Sequence, residues 1–125
     1  MSNSSFEIRR AVKTDTQYFS DVVFENDQVY VACDRLDQSI VGFIAFNELI
    51  VSHLYLAPEV IGRGLGGSLL ELAKRQGRTL HLWAFQRNET AKNFYIKHGF
   101  TVVQQTDGSD NEEHEPDILF EWSCT

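Results

Sequence analysis

Apolar residues run or alternate in short blocks at 6–11, 29–33, 40–46, 49–56, 80–85, 101–105 and 117–122. Blocks of that length, rich in Val, Ile, Phe, Tyr and Trp, fit strands better than helices. Twice the alternation gives way to a spacing of three and four. Leu65, Leu69, Leu72 and Ala73 mark a helix over 64–76, and Ala91, Phe94 and Tyr95 mark another over 88–98. A third helix fits at 16–23. The order predicts an α/β chain of the α+β type with about seven strands.

Local chemistry sharpens this outline. The polar turn Asp34-Arg35-Leu36-Asp37-Gln38-Ser39 makes 29–33 and 40–46 an antiparallel hairpin. A right-handed crossover through the helix at 64–76 makes 49–56 and 80–85 parallel. The helix at 88–98 has both ends marked. Asn88 suits the N-cap, Glu89 the first turn, Lys97 and His98 the last turn, and Gly99 a left-handed stop after which Phe100 folds back on the helix. The block at 80–85 reads as a buried strand, and the loop 106–116 as polar and mobile.

The chemistry concentrates where the strand ending Leu54-Tyr55-Leu56 runs through Ala57-Pro58-Glu59-Val60 into Ile61-Gly62-Arg63-Gly64-Leu65-Gly66-Gly67-Ser68. Glycines at 62, 64, 66 and 67 permit positive φ and let a ligand approach without meeting Cβ atoms. The N–H groups at a helix start are unpaired, and the positive end of the helix dipole favours an anion there. No Gly-Lys-Ser/Thr ending follows to hold a γ-phosphate and magnesium. No acidic residue closes a second strand to take a ribose hydroxyl, as a dinucleotide site requires. A diphosphate bound without metal remains.

The glycine turn, followed by Asn88, Ala91, Phe94-Tyr95 and Gly99-Phe100 at matching separation, resembles the GNAT superfamily of N-acetyltransferases. The likeness extends from about Phe6 to Trp122, with Ile8-Arg9-Arg10-Ala11 like the family's first strand and 115–122 like its last. It implies a mixed, mostly antiparallel central sheet with helices on both faces, in which the strands at 49–56 and 80–85 splay apart with acetyl-CoA as cosubstrate lying between them. Leu54, Tyr55 and Leu56 would pair with the pantetheine arm. The backbone from Ile61 through Gly62, Arg63, Gly64, Leu65, Gly66 and Gly67 to Ser68 would hold the pyrophosphate. The resemblance also makes Asn88 a coenzyme contact and Tyr95 both a coenzyme contact and the acid for the leaving thiol, and it implies direct attack by a primary amine. An N–H of Tyr55 or Leu56 would stabilise the developing oxyanion.

Two positions depart from the family pattern. Ile61 stands where Gln or Arg is usual, which removes a side-chain donor and lowers the expected coenzyme affinity. The segment between Ala11 and Val29 has room for one helix where the family commonly carries two, so the acceptor pocket is either unusually open or completed by a second copy in a homodimer.

An amine with a reference pKa near 10.4 must lose a proton before it attacks, so a base is needed. Alternation puts His53 and Tyr55 on one face of their strand, and His53 titrates in the right range. Glu48 acting through water is the second candidate, and water alone the third. His81 lies at the corresponding start of the next strand, where a pairing with His53 would lower either pKa.

Composition narrows the remaining classes. At 125 residues and 42% hydrophobic, residues 1–125 read as a single domain. The net charge of -7 argues against general nucleic-acid binding. No basic start with an apolar run and no 18-residue apolar stretch occurs, so no membrane role is expected and a cytoplasmic location is. Cys33 and Cys124 are too few for a disulfide framework and read as inert thiols. His114 among Glu112, Glu113 and Glu115 sits in a loop with no second histidine nearby, so no metal is expected. Residues 61–100 hold seven basic side chains against Glu71 and Glu89, whereas from Thr101 onward seven acidic residues face no Lys or Arg. That asymmetry favours an anionic coenzyme on one side and a small cationic amine as acceptor on the other. The alternatives are a protein lysine or N-terminus as acceptor, and a non-catalytic acyl-CoA-binding module.

Overall fold

A computed structural model describes residues 5–12, 15 and 27–124; the helix expected at 16–23 lies outside them. Seven strands and two helices follow one another: β1 (Phe6–Arg10), β2 (Gln28–Asp34), β3 (Ile40–Phe46), β4 (Val51–Leu56), α1 (Leu65–Lys74), β5 (Thr79–Phe85), α2 (Glu89–Lys97), β6 (Thr101–Gln105) and β7 (Asp117–Ser123). A short 3₁₀ turn, Pro58–Val60, separates β4 from the glycine-rich segment.

The strands form two antiparallel sheets, ordered β1-β2-β3-β4 and β5-β7-β6. The sheets meet at one parallel bridge between Ile50 and His81, where the His81 N–H donates to the Leu49 carbonyl at 3.0 Å. The predicted parallel relation of β4 and β5 is therefore present as this single bridge rather than as a ladder. Strand β4 is also shorter than expected. Leu49 belongs to the preceding turn, 68% exposed, with its N–H on the Asn47 side chain at 2.8 Å.

Alternation along the first sheet sorts its side chains into two layers. On one face Ile44, Phe46 and Val51 join Leu69, Leu70 and Ala73 of α1, Leu80 and Leu82 of β5, and Phe100, Ile118 and Phe120 in one buried cluster. On the other, Val29, Val31, Cys33, Phe43 and Ala45 form a second cluster. Cys33 is fully buried and its thiol is pushed up by desolvation, consistent with an inert thiol. Both described helices pack on the first cluster and touch each other; a Cβ added at Gly66 of α1 would lie 2.9 Å from the Phe94 ring of α2. Lys74, in the last turn of α1, donates to the His98 carbonyl at 2.7 Å and so satisfies the end of α2 as well.

Two expectations are corrected. Strand β5 is not buried throughout: Leu80 and Leu82 are inside, but Trp83 is 45% exposed, because beyond the Ile50–His81 bridge β4 no longer lies against it. The loop at 106–116 is cross-tied. Thr106 donates its hydroxyl to the Asp117 carboxylate, and Asn111 donates to the other Asp117 oxygen at 3.0 Å and to the Glu115 carbonyl at 2.8 Å. The Glu115 N–H returns a bond to Asn111 at 3.1 Å. No helix among the described residues is long and apolar enough to cross a membrane.

Candidate functional site

The divergence of β4 from β5 opens a cleft of about 500 Å³, lined along its length by residues 51–54 and 82–85 and closed at the side by Asn88, Ala91 and Tyr95 of the α2 region. A bulge shapes its inner end. Ala45 faces His53 and Phe46 faces Val51, which leaves Ser52 as the extra residue on β4. Asp27 holds the bulge: Ser52 donates its hydroxyl to Asp27 at 2.7 Å, and Asn47 donates to the same carboxylate at 3.2 Å.

Backbone direction on β4 follows from one bond. The Ala57 N–H donates to the Val41 carbonyl of β3 at 2.8 Å. In an antiparallel ladder alternate N–H groups turn the same way, so Tyr55 also points toward β3 while Leu54 and Leu56 point toward the cleft. Of the three residues predicted to pair with the arm, Leu54 and Leu56 keep their N–H groups on the cleft edge. The half-exposed Tyr55 side chain lies on the opposite face, with its ring 6.0 Å from Phe43. Of the two residues predicted to supply the oxyanion donor, Leu56 keeps its N–H on the cleft edge and Tyr55 does not. Leu54 is the residue that both lines the cleft and turns its N–H into it.

Past β4 the chain turns through Gly62 and Gly64, with φ of 87° and 82°. Gly64 is the N-cap of α1 and no side chain caps that end. The first-turn donors are therefore available to an external anion. The set is narrower than predicted, since the Ile61 N–H already donates to Pro58 at 3.3 Å and that of Ser68 to Gly64 at 3.2 Å. The donors between them remain, from Gly62 through Arg63, Gly64, Leu65 and Gly66 to Gly67. Gly66 has a further duty: only hydrogen fits between the backbone of α1 and Phe94 and Leu56.

Tyr95 is fixed by the way α2 ends. The Phe100 N–H donates to the Tyr95 carbonyl at 3.0 Å and the Gly99 N–H to Ile96 at 3.1 Å, the paired bonds of a Schellman ending with Gly99 at φ 92°. Phe100 is thereby folded onto the Tyr95 ring at 5.8 Å, and Phe94 and Phe120 flank it at 5.3 and 5.7 Å. Burial among these rings pushes the phenol up to about 12, so Tyr95 keeps its proton at any ordinary pH. Asn88 is the N-cap as predicted, accepting from the Ala91 N–H at 3.1 Å, and it also lines the cleft.

His53 lines the cleft, and desolvation holds its pKa below the ordinary imidazole value despite the opposing Asp27 charge. The predicted pairing with His81 is absent, because His81 is engaged by Glu121 on β7 at 2.9 Å. Glu48 is not brought to the cleft. It lies in the turn before β4, beside a shallow recess with Gln28, Asn47, Leu49 and Gln76. The residues that sequence reasoning missed are Ser52, Asp27, Trp83 and Glu113, the last two lining the cleft from β5 and from the loop after β6.

Residues 25–102 match the family model described as "Acetyltransferase (GNAT) domain". Among sequence relatives, the peptidyl-lysine N-acetyltransferase YiaC of Escherichia coli (strain K12) is 31% identical over 54% of this chain and 47% of its own length. The peptidyl-lysine N-acetyltransferase YjaB of the same strain is 32% identical over 66% of this chain and 55% of its own. The chain spans about half the length of these relatives. Among solved structures, a nourseothricin acetyltransferase superposes with a TM-score of 0.80 at 20% identity, covering 98% of this chain and 100% of that one. A streptothricin acetyltransferase from Bacillus anthracis str. Ames, described as putative and in complex with acetyl coenzyme A, gives 0.78 at 16% identity with full coverage of both chains.

Proposed function

The chain belongs to the GNAT acetyltransferase family, and from that premise we propose that it is an acyl-CoA-dependent N-acetyltransferase moving an acetyl group from acetyl-CoA to a primary amine, with a small cationic amine as acceptor. The observation that carries this reading is the cleft between β4 and β5, with Tyr95 in its wall and the uncapped start of α1 past the end of β4. Its residues suit the coenzyme. Leu54 and Leu56 offer backbone N–H groups to amides of an extended arm, and the N–H groups between Gly62 and Gly67 offer donors to a diphosphate without metal. Acetyl-CoA, when bound, supplies the acetyl group as a thioester.

The chain's own residues supply the rest. His53, neutral at pH 7, takes the proton that the amine nitrogen loses as its bond to the acetyl carbon forms. Leu54 donates its N–H to the carbonyl oxygen as negative charge grows there. Tyr95 gives its phenolic proton to the sulfur as the carbon–sulfur bond breaks, and one proton has then left the amine and one has reached the thiol. The -7 net charge and the acidic segment after Thr101 support a cationic acceptor. A protein lysine is the second reading, supported by the names of the two Escherichia coli relatives. A homodimer in which a second copy walls the acceptor pocket belongs to this reading, because the segment between Ala11 and Val29 has room for one helix rather than two.

Thiol release from acetyl-CoA with a panel of polyamines, amino acids, aminoglycosides and lysine peptides tests the transfer reading. Turnover on at least one amine is the expected result. Calorimetric binding of acetyl-CoA without turnover on any of them would instead establish the non-catalytic binding module. For the base, kcat at saturating acceptor should fall as pH drops through a value below the ordinary 6.5 of imidazole, because only neutral His53 accepts a proton. His53→Gln should lower kcat about tenfold to a hundredfold and abolish that acid limb. An unchanged limb in the variant would assign proton removal to water.

A further inference from the structure

The cleft does not end at β5. A second cavity of about 330 Å³ shares Trp83 and Asp117 with it and adds Thr106, Asp110 and Asn111. The shared floor is rigid, because Asp117 is 91% buried and spends its carboxylate on Thr106 and Asn111, which pins the loop that carries Asp110 and Glu113. The walls are unmatched in charge. Glu113 of the cleft and Asp110 of the second cavity are exposed, and among the described residues they take part in no ion pair and no Lys or Arg lines either cavity. The exposed indole of Trp83 lines both cavities, on a strand whose next residue inward, Leu82, is buried. An exposed indole and an unpaired carboxylate lining one recess attract an ammonium or guanidinium group.

We propose that this second cavity holds a second positive group of the acceptor, so that the substrate is a primary amine carrying another cation. The inference rests on the transfer reading above and adds the substrate class. Tyr95 and His53 serve the reacting amine in the cleft, while Trp83 and Asp110 hold the other cation. The division has a chemical reason. The reacting nitrogen must be neutral to attack, so it cannot itself be held by charge, whereas a second cation keeps its charge throughout and anchors the acceptor.

The test uses the intact chain with acetyl-CoA and α,ω-diamines of increasing length, each beside the monoamine of equal carbon number. Blocked lysine peptides with and without a neighbouring arginine form a parallel arm. The second cation should raise kcat/KM by about tenfold or more in at least one arm. The arm in which it does so separates a free polyamine from a basic peptide. Asp110→Asn and Trp83→Ala should each shrink that advantage to under about threefold, mainly through KM. Thermal melting checks that both variants fold. Equal rates for mono- and dicationic acceptors overturn the inference and leave the transfer reading standing. Acetyl-CoA binding with no turnover in either arm overturns the inference and the transfer reading together, in favour of the binding module. Absence of acetyl-CoA binding overturns the transfer reading itself.

Discussion

Replacing Tyr95 with Phe is expected to lower kcat about a hundredfold or more while leaving the Kd for acetyl-CoA within about threefold. The substitution removes one oxygen from a ring that keeps its neighbours, since Phe94, Phe100 and Phe120 contact the aromatic carbons at 5.3, 5.8 and 5.7 Å. Folding stability should change by no more than about 1 kcal/mol. What is lost is a proton source held on the wall of the cleft. The phenol is pushed up to about 12 by burial, so in the wild type it is protonated throughout the working range. A thiol with a reference pKa near 8.5 needs that proton at neutral pH and leaves unaided as thiolate once the pH is well above that value. The deficit of the Tyr95→Phe variant should therefore shrink as pH rises past about 9. Full turnover in the variant at pH 7 would remove Tyr95 from the chemistry.

The reach of the sequence can be judged from particular residues. The strands, the two described helices and the Asn88 and Gly99 ends of α2 were legible, because alternation, helical spacing and capping are local and each residue carries its own signal. The role proposed for Tyr95 rests on the family likeness. Its rigid seating was legible in part, through the foldback of Phe100 after Gly99. The bulge at Ser52 was not. A bulge is a difference in count between two paired strands, and neither β3 nor β4 alone reveals that Phe46 will face Val51 while Ala45 faces His53. Which of Tyr55 and Leu56 turns its N–H outward was hidden for the same reason, because it depends on the pairing of β4 with β3.

Trp83 and the loop at 106–116 were missed for a different reason. Trp83 looks like core in an apolar run, and only the parting of β4 from β5 exposes it. The loop looks mobile because it is polar. The same Asn and Asp side chains that solvate a free loop can tie it down, as Asn111 and Asp117 do here, and the choice depends on residues that meet only in three dimensions. His81 met Glu121 across forty residues of chain for the same reason.

A valine at Gly66 is expected to weaken acetyl-CoA binding by at least about tenfold, and more than an alanine at Gly62 does. A Cβ at Gly66 would lie 2.9 Å from the Phe94 ring and 3.2 Å from Leu56, whereas one at Gly62 meets nothing within 4 Å. The Phe94 ring has little freedom to yield, being packed against Tyr95 at 5.3 Å and His98 at 4.5 Å. The strain of the Gly66→Val substitution, about 1–3 kcal/mol, is thus relieved by moving the first turn of α1 away from α2. That turn carries the donors proposed for the diphosphate, so displacement of a few tenths of an ångström misaligns several charge-assisted bonds together. Gly62→Ala is strained in a different way. It meets open space but must hold a φ of 87°, at a cost of about 1–2 kcal/mol that falls on the turn before the helix rather than on the helix start. Calorimetry on both variants, with circular dichroism to establish that each is folded, separates the two effects. Wild-type affinity in a folded Gly66→Val protein would mean that the mouth of α1 is not where the coenzyme's diphosphate is held.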